Sequence, residues 1–340
     1  MRNMARFLLR RLLFVCFLII GVTFLVFMIS HLVPSDPIAS NMSPNAMSDP
    51  AAVAAYKARW GLDKPLMEQY FIYLSNLLRG DLGTSIRTGN PVISDLKQFF
   101  PATLELSIMA MLIAVLFGIT FGIISAVYRN KPFDYLVRTI SISGVSIPNF
   151  WFALVMLLLF YSKWHLFPGG GRVSSRISAP TGGTGLYLWD ALMSGNWALF
   201  NDALSHLILP AIVLGFFTMG LISRQTRSNL LEVSSLDYIR TAKAKGLSQR
   251  QIVLRHALGN ALIPVITVMG MGFSNLLGGM VFVEKIFSWP GIGQYAYLSA
   301  TTLDFPAICG VSLLIAMINV ILNLVIDILY GVIDPRVRYS

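Results

Sequence analysis

Side chains that could perform catalysis are few and scattered along this 340-residue chain. No H-E-x-x-H pair and no G-x-S-x-G turn occurs among its residues. The four histidines are far apart, at His31, His165, His206 and His256. The Gly-rich stretches lack the phosphate-binding pattern G-x-x-x-x-G-K-[ST], and Cys16 and Cys309 are isolated thiols. We therefore expect no catalytic residues, no metal site and no cofactor bound directly by this chain.

The chemistry of protein docking is better represented, in a basic segment at residues 237–247. Its residues are Asp237, Tyr238, Ile239, Arg240, Thr241, Ala242, Lys243, Ala244, Lys245, Gly246 and Leu247. They favour a short helix in which Ile239 and Ala242 offer a small apolar contact area among cations. Gly246 permits the positive φ that ends such a helix, and Ser248 can cap a second one. Two helices joined by a glycine bend would form a rigid protrusion; the alternative is an amphipathic helix lying on anionic lipid.

The rest of the sequence is typical of an integral membrane protein. Hydrophobic residues make up 55% of the chain and charged residues only 12%, and the mean hydropathy is +0.68. Apolar runs of about 20 residues are long enough for one helical crossing each. They occur at 12–33, 104–128, 136–161, 205–223, 262–284 and 308–333. We predict an all-α membrane protein with six transmembrane helices.

The distribution of positive charge predicts how the chain is oriented. Most of the 26 Lys and Arg residues lie in the tail 1–11, the loops after the second and fourth predicted spans, and the tail 334–340. Because positive residues are retained on the cytoplasmic side, both tails and the loop 224–261 are predicted to be cytoplasmic. This bias, with contact to membrane lipid, accounts for the net charge of +10 without nucleic acid. The long, charge-balanced loop 34–103 is predicted to form a small extracytoplasmic subdomain.

Polar and small residues within the predicted spans form two patterns. Asn319, Asn323 and Asp327 lie at i, i+4 and i+8, on one stripe of the last span. The stripe is predicted to hydrogen-bond with other helices, and a role in translocation is the alternative. Glycines and serines in the third and fifth spans are predicted to let helices approach closely, with a substrate path again the alternative.

Motifs along nearly the whole chain resemble those of a known transporter family. They are Arg10-Arg11, Leu32-Val33-Pro34-Ser35-Asp36-Pro37, Gly61-Leu62-Asp63-Lys64-Pro65, Gly80-Asp81-Leu82-Gly83-Thr84-Ser85, Pro101-Ala102-Thr103-Leu104-Glu105-Leu106, Ile147-Pro148-Asn149-Phe150-Trp151, His206-Leu207-Ile208-Leu209-Pro210, Phe287-Ser288-Trp289-Pro290-Gly291-Ile292-Gly293 and Asp334-Pro335-Arg336. Together they are similar to the permease subunits of ATP-binding-cassette importers, specifically the dipeptide, oligopeptide and nickel permease family. The double arginine resembles the first of the two permease types in that family.

The resemblance implies a type I importer fold with a permease core at 104–333. Residues 237–247 match the family's EAA loop, whose short coupling helix docks on an ATPase. Gly246 takes the pivotal glycine position, whereas Arg240, Thr241 and Ala242 stand where the general pattern has Glu-Ala-Ala. Leu258 and Gly259 stand in place of its Leu-Pro. The acidic residue of the general pattern is thus replaced by a base, Arg240.

The resemblance also implies partners and a substrate. The partners are a second homologous permease, two ATPase subunits that bind ATP-Mg, and an external substrate-binding protein. The chain itself would be a transport subunit in the bacterial inner membrane and not an enzyme. Candidate contacts with the binding protein, or candidate outer-gate residues, are Phe287, Ser288, Trp289, Pro290 and Gly291. The expected substrate is a short peptide, closest to a dipeptide; nickel chelates, glutathione and longer peptides are alternatives, as are a proton-coupled carrier and a membrane scaffold.

Overall fold

The computed structural model describes Phe14, Met42, Pro180 and the ranges 16–28, 47–178, 183–278 and 281–333. Within these residues the chain is helical and has no β-sheet, although one isolated bridge joins Thr84 and Pro91. The helices are α1 Cys16–Met28, α2 Pro50–Trp60, α3 Leu66–Leu78, α4 Val92–Val127, α5 Pro132–Ser146, α6 Asn149–Lys163, α7 Tyr187–Met193, α8 Trp197–Val233, α9 Asp237–Ala244, α10 Gln249–Leu277, α11 Val281–Ile286, α12 Ile292–Thr301 and α13 Phe305–Ile333.

Four of these helices, α4, α8, α10 and α13, contain apolar segments long enough to cross a membrane. The pair α5 and α6 makes a fifth crossing if the two are counted as one bent span. The described part of the first predicted span is Phe14 and α1, a shorter apolar helix. The prediction of an all-α, multi-pass membrane protein is thus confirmed. The tails 1–11 and 334–340 and the motifs at 10–11, 32–37 and 334–336 lie outside the described residues.

Two predicted spans have different limits in the structure. The predicted span 262–284 lies mostly in α10, which already begins at Gln249 and ends at Leu277. Glu284 therefore belongs to the separate helix α11. The predicted span 104–128 is the later part of α4, which begins at Val92. The last residues of the loop predicted at 34–103 are therefore a helical extension of the second span.

The third predicted span, 136–161, is divided into two helices in the structure. Its two halves, α5 and α6, meet at an angle of 110°. Pro148 has no N–H to donate, and its ring disfavours the helical conformation for the residue before it. Ile147 accordingly has an extended backbone, with ψ 127°. The break is thus a direct consequence of the Ile147-Pro148 pair.

The two longest helices, α4 and α8, run parallel and pack along much of their length. Ala110, Gly118 and Gly122 of α4 lie beside Gly215, Ile222 and Thr226 of α8, in the same order along both helices. A Cβ atom placed on Gly122 would lie 2.5 Å from the Cβ of Thr226. The absence of a side chain at Gly122 therefore allows the two backbones to approach, as small residues do between membrane helices.

The bend between α5 and α6 lies level with the middle of α8. Asp134, near the start of α5, accepts a hydrogen bond of 2.9 Å from Arg227 Nε, towards the end of α8. On one side of the bend, a Cβ on Gly144 would lie 2.7 Å from the carbonyl oxygen of Phe216. On the other side, the rings of Phe152 and Phe216 stack with centroids 4.7 Å apart. Phe216 is close to the midpoint of α8, so the bend lies about halfway along the length of this helix.

Candidate functional site

The segment 237–247 has the local structure that the sequence predicts. Helix α9 ends at Ala244, and Gly246 has φ +78°. The N–H of Gly246 donates to the Lys243 carbonyl at 2.9 Å, which closes the last turn. Ser248 then begins α10 with a capping box: its backbone N–H donates to Gln251 Oε1 at 3.0 Å, and its hydroxyl accepts from the Gln251 N–H. The predicted glycine bend between two helices is confirmed.

Helix α9 packs on the start of α10 and contributes its apolar residues to a cluster that α4 and α8 share. Ile239 is fully buried and Ala242 is 7% exposed. Both belong to one apolar cluster with residues of α4, α8 and α10; these are Ala126, Leu230, Val233, Ile252, Val253, Ala257 and Ala261. The Tyr238 hydroxyl also accepts a hydrogen bond of 2.8 Å from Asn260 Nδ2 of α10. The interpretation of Ile239 and Ala242 as surface contact area is therefore wrong, because this face anchors α9 to its own chain.

The rest of the segment 237–247 is largely exposed, and three of its four charged residues are cations. Its exposed residues are Asp237, Tyr238, Arg240, Thr241, Lys243, Ala244, Lys245 and Gly246, while Leu247 is half-buried. Asp237 and Arg240 form an ion pair of 3.2 Å, but both side chains are largely exposed to solvent. An exposed pair of this kind contributes only about 0–1 kcal/mol, so it does not hold the helix in place. This exposed part presents positive charge on a rigidly attached support.

A second set of contacts joins the start of the α4 transmembrane segment to the segment 287–293. Thr103 donates to Glu284 Oε1 at 2.8 Å and accepts from the Ile292 N–H at 2.8 Å. Trp289 Nε1 donates to the Ala102 carbonyl at 2.9 Å. Phe287 and Trp289 are each 1% exposed, Gly291 is buried and Pro290 is half-buried, whereas Ser288 is exposed. Phe287 and Trp289 therefore lie inside the chain, and of the predicted contacts for an external protein Ser288 is the most accessible.

A buried ion pair extends this junction to the loop before α7. Arg172 Nη2 donates to Glu105 Oε2 at 2.5 Å and to the Gly185 carbonyl at 2.8 Å. The two charged side chains are only 6% and 8% exposed. The Arg172 guanidinium also lies 3.5 Å from the centroid of the Tyr187 ring, and the Leu188 N–H donates to Glu105 Oε1. The pair of Arg172 and Glu105 thus connects the loop before α7 to the start of the α4 transmembrane segment.

Glu284 is the buried acceptor at the centre of the same junction. It lies between two candidate spans and is 1% exposed. Burial raises the pKa of its carboxyl, against the opposing effect of the hydrogen bonds from Gln294 and Thr103. The protonated form of Glu284 is therefore more stable, relative to the carboxylate, in the folded chain than it is in water.

We expect Glu284→Ala to destabilise the folded chain by about 1–3 kcal/mol, because the Thr103 hydroxyl and the Gln294 N–H lose a buried acceptor. Thermal unfolding in detergent measures the effect. Glu68→Ala is the matched control, since the Glu68 carboxylate is exposed and forms a surface ion pair with Lys64, at 3.5 Å. Equal stability of the two variants would contradict the assigned role of Glu284.

The polar stripe of α13 is only partly engaged. Ser274 of α10 donates to Asn319 Oδ1, and Asn319 Nδ2 donates to the Ile315 carbonyl at 3.0 Å. Asn323 is exposed, and the side chain of Asp327 lies outside the described residues. Hydrogen bonding between helices therefore accounts for Asn319, while the translocation role of the stripe stays a prediction.

The sequence alone did not identify Glu105, Arg172, Thr103 and Glu284 as partners. Glu105 and Thr103 belong to one quoted motif, and Glu284 comes just before another, but no spacing rule relates them. Their pairing depends on α11 returning to the start of the α4 transmembrane segment. A charged residue within an apolar run, such as Glu105, was the one available signal, because membrane helices bury charges only with partners.

Comparisons with known proteins agree with this architecture. Residues 118–339 match the family model described as binding-protein-dependent transport system inner membrane component, and residues 4–107 match the model of the N-terminal part of such membrane components. The chain therefore belongs to this family of transport permeases. Among its relatives, the probable D,D-dipeptide transport system permease protein DdpB of Escherichia coli (strain K12) is 50% identical over 317 residues, covering 93% of each chain.

Two further comparisons cover most of the chain. The dipeptide transport system permease protein DppB of Alkalihalophilus pseudofirmus is 43% identical over 339 residues, covering 99% of this chain and 100% of the relative. A chain from a structure of the MetNI methionine ABC transporter in inward-facing conformations aligns with a TM-score of 0.51 and 16% identity, covering 70% of this chain and 96% of the other. The fold is therefore that of an ATP-binding-cassette importer permease.

Proposed function

We propose that this chain is one of two membrane subunits of an ATP-driven importer that moves short peptides, most closely dipeptides, into the cytoplasm. The observation that carries the proposal is the near full-length similarity to permeases named for D,D-dipeptide and dipeptide transport. Its partners are a second homologous permease, two ATPase subunits that bind ATP-Mg, and an external substrate-binding protein. The chain has six spans, both termini are cytoplasmic, and α2 belongs to a small extracytoplasmic subdomain.

In this assembly α9 is the coupling helix. Its cationic face meets the ATPase, and its buried face packs on the start of α10, in an apolar cluster shared with α4 and α8. Movement of the ATPase is therefore passed to the start of α10 and, through this cluster, to α4 and α8, because closely packed interiors transmit strain. A substrate can shift the conformational equilibrium only by its differential affinity for the two states, so nucleotide on the partner subunits supplies the driving free energy.

The bend between α5 and α6 supports a polar route through the membrane. Pro148 cannot donate to the Gly144 carbonyl, which thereby loses its helical hydrogen-bond donor. Irregular backbone at this depth is stable where protein or a hydrated cavity satisfies its polar groups. Broken helices line the substrate sites of other transporters for that reason. A peptide, which carries its own amide and charged groups, requires such a route.

Uptake of a radiolabelled dipeptide tests the proposed substrate. Cells that lack only this chain should lose accumulation of the label, and expression of the chain should restore it. Excess unlabelled D,D- or L,L-dipeptide should compete and identify the preferred stereochemistry, whereas free methionine should not compete. Unchanged accumulation in the deleted strain would contradict the proposal.

Charge reversal on α9 tests the coupling assignment. We expect the double variant Arg240→Glu, Lys243→Glu to reduce recovery of the ATPase with a tagged chain by about tenfold, because complementary charges stabilise such contacts. Lys97→Glu provides the control: it makes the same type of charge change at an exposed position near the start of α4, distant along the helix from the α9 contact. Equal ATPase recovery for the double variant and the unmodified chain would contradict the assignment.

A further inference from the structure

Helix α3 lies directly against α1, although the sequence places it in a loop outside the membrane. The Tyr70 hydroxyl lies 3.0 Å from Thr23 Oγ1 and 3.2 Å from the Ile20 carbonyl oxygen. The Tyr70 ring also makes edge contacts with Phe24 and Phe27, at centroid distances of 5.4 and 5.5 Å. Thr23 is fully buried, and Tyr70 is 6% exposed. The two helices therefore share an extensive contact.

These contacts fix the depth of α3. Thr23 lies near the middle of the apolar run 12–33, about 15 Å from either end at the rise of a helix. The hydrocarbon core of a bilayer is about 30 Å thick. Because α1 belongs to the first span of the proposed membrane subunit, on which this inference rests, a helix that packs on Thr23 and Phe24 lies within the hydrocarbon.

One exposed side of α3, about a quarter of a turn around the helix from Tyr70, is suited to that environment. Met67, Phe71 and Leu78 lie on one face and are 59%, 61% and 82% exposed. Glu68 is the one charged residue within α3, near its first turn beside Lys64, while Arg79 follows the last turn. Ten successive residues, 69–78, therefore carry no charge. Charges at the ends and apolar side chains between them are typical of a helix embedded in lipid.

We propose that α3 is a membrane-embedded helix whose Met67, Phe71 and Leu78 face is covered by lipid acyl chains. The aqueous part of the loop then consists of α2 and the segment between α3 and α4. Desolvation of these three large side chains, which are exposed in the isolated chain, favours this position. The inference concerns the position of α3 and does not depend on which substrate is transported.

Accessibility of a spin label to oxygen and to a water-soluble nickel chelate tests the proposal. The complete transporter, with Cys16→Ser and Cys309→Ser in this chain and no other reactive cysteines, is reconstituted into vesicles of phosphatidylethanolamine and phosphatidylglycerol. Single cysteines then replace Phe71, Leu78 or, as a control, the exposed Ala58 of α2. We expect labels at 71 and 78 to collide with oxygen several-fold more often than with the chelate, and the label at 58 to show the reverse.

Two results would overturn the proposal. Preferential collision with the chelate at both 71 and 78 would place this face of α3 in water. Low accessibility to both reagents at these positions would indicate that another protein subunit covers the face. The labels at 71 and 78 report independently on this face. If one of the two variants fails to assemble, the other still shows whether the face lies in lipid.

Discussion

Gly246→Val is expected to abolish most peptide uptake while leaving the chain in the membrane at normal abundance. Gly246 has φ +78°, a conformation that costs a residue with a Cβ about 1–2 kcal/mol, and a β-branched residue more. A Cβ at this position would meet no atom within 4 Å, so the variant is strained by its backbone and not by a clash. The bend between α9 and α10 should therefore change, and uptake should fall by about tenfold or more.

Two variants separate this backbone effect from others. Gly246→Asn should retain much of the uptake, because asparagine tolerates positive φ better than valine. Gly259→Val is the matched control, since Gly259 is exposed, lies within a helix and also has no atom within 4 Å of an added Cβ. Normal transport by Gly246→Val at normal abundance would refute the role of the bend.

Arg172→Met should produce the largest loss of stability. It leaves the Glu105 carboxylate buried without its cationic partner, at a cost of about 3–5 kcal/mol. Glu105 keeps the hydrogen bond from the Leu188 N–H, which is too weak to replace the ion pair. Thermal unfolding of the purified chain in detergent measures the change.

The double variant Arg172→Met, Glu105→Leu should recover much of that stability, because it removes both charges from the interior. Lys64→Met is the control for loss of one cation from an exposed pair and should change the free energy of unfolding by about 1 kcal/mol or less. A stability of Arg172→Met equal to that of Lys64→Met would show that the buried pair does not hold the junction together.

The features that the sequence predicted well are those decided by neighbouring residues. Gly246 and Ser248 determine the end of α9 and the start of α10 through backbone conformation and a local cap, so their types were informative. Pro148 likewise causes the break after α5, but no local rule gives the angle of 110° between the two halves. Apolar runs identified the membrane helices because a chain in lipid must satisfy its own backbone N–H and C=O groups. Few structures other than a helix do this within one segment.

Features that depend on distant contacts could not be predicted from the sequence. In the eight-residue helix α9, the positions of Ile239 and Ala242 indicate an apolar face but not what covers it. In the structure that face packs on the start of α10, in an apolar cluster shared with α4 and α8. The pairing of Arg172 with Glu105 spans 67 positions and depends on the fold of the loop before α7. The position of α3 depends on Tyr70 reaching Thr23, which no local pattern specifies.

The most direct test of the central claim is accumulation of a labelled dipeptide in proteoliposomes that contain the purified transporter and its binding protein. The vesicles are oriented so that the ATPase subunits face the lumen. We predict accumulation only when ATP-Mg is enclosed, with no response to an imposed proton gradient. Accumulation driven by the proton gradient without ATP, or no transport of any dipeptide by an assembly that hydrolyses ATP, would contradict the account.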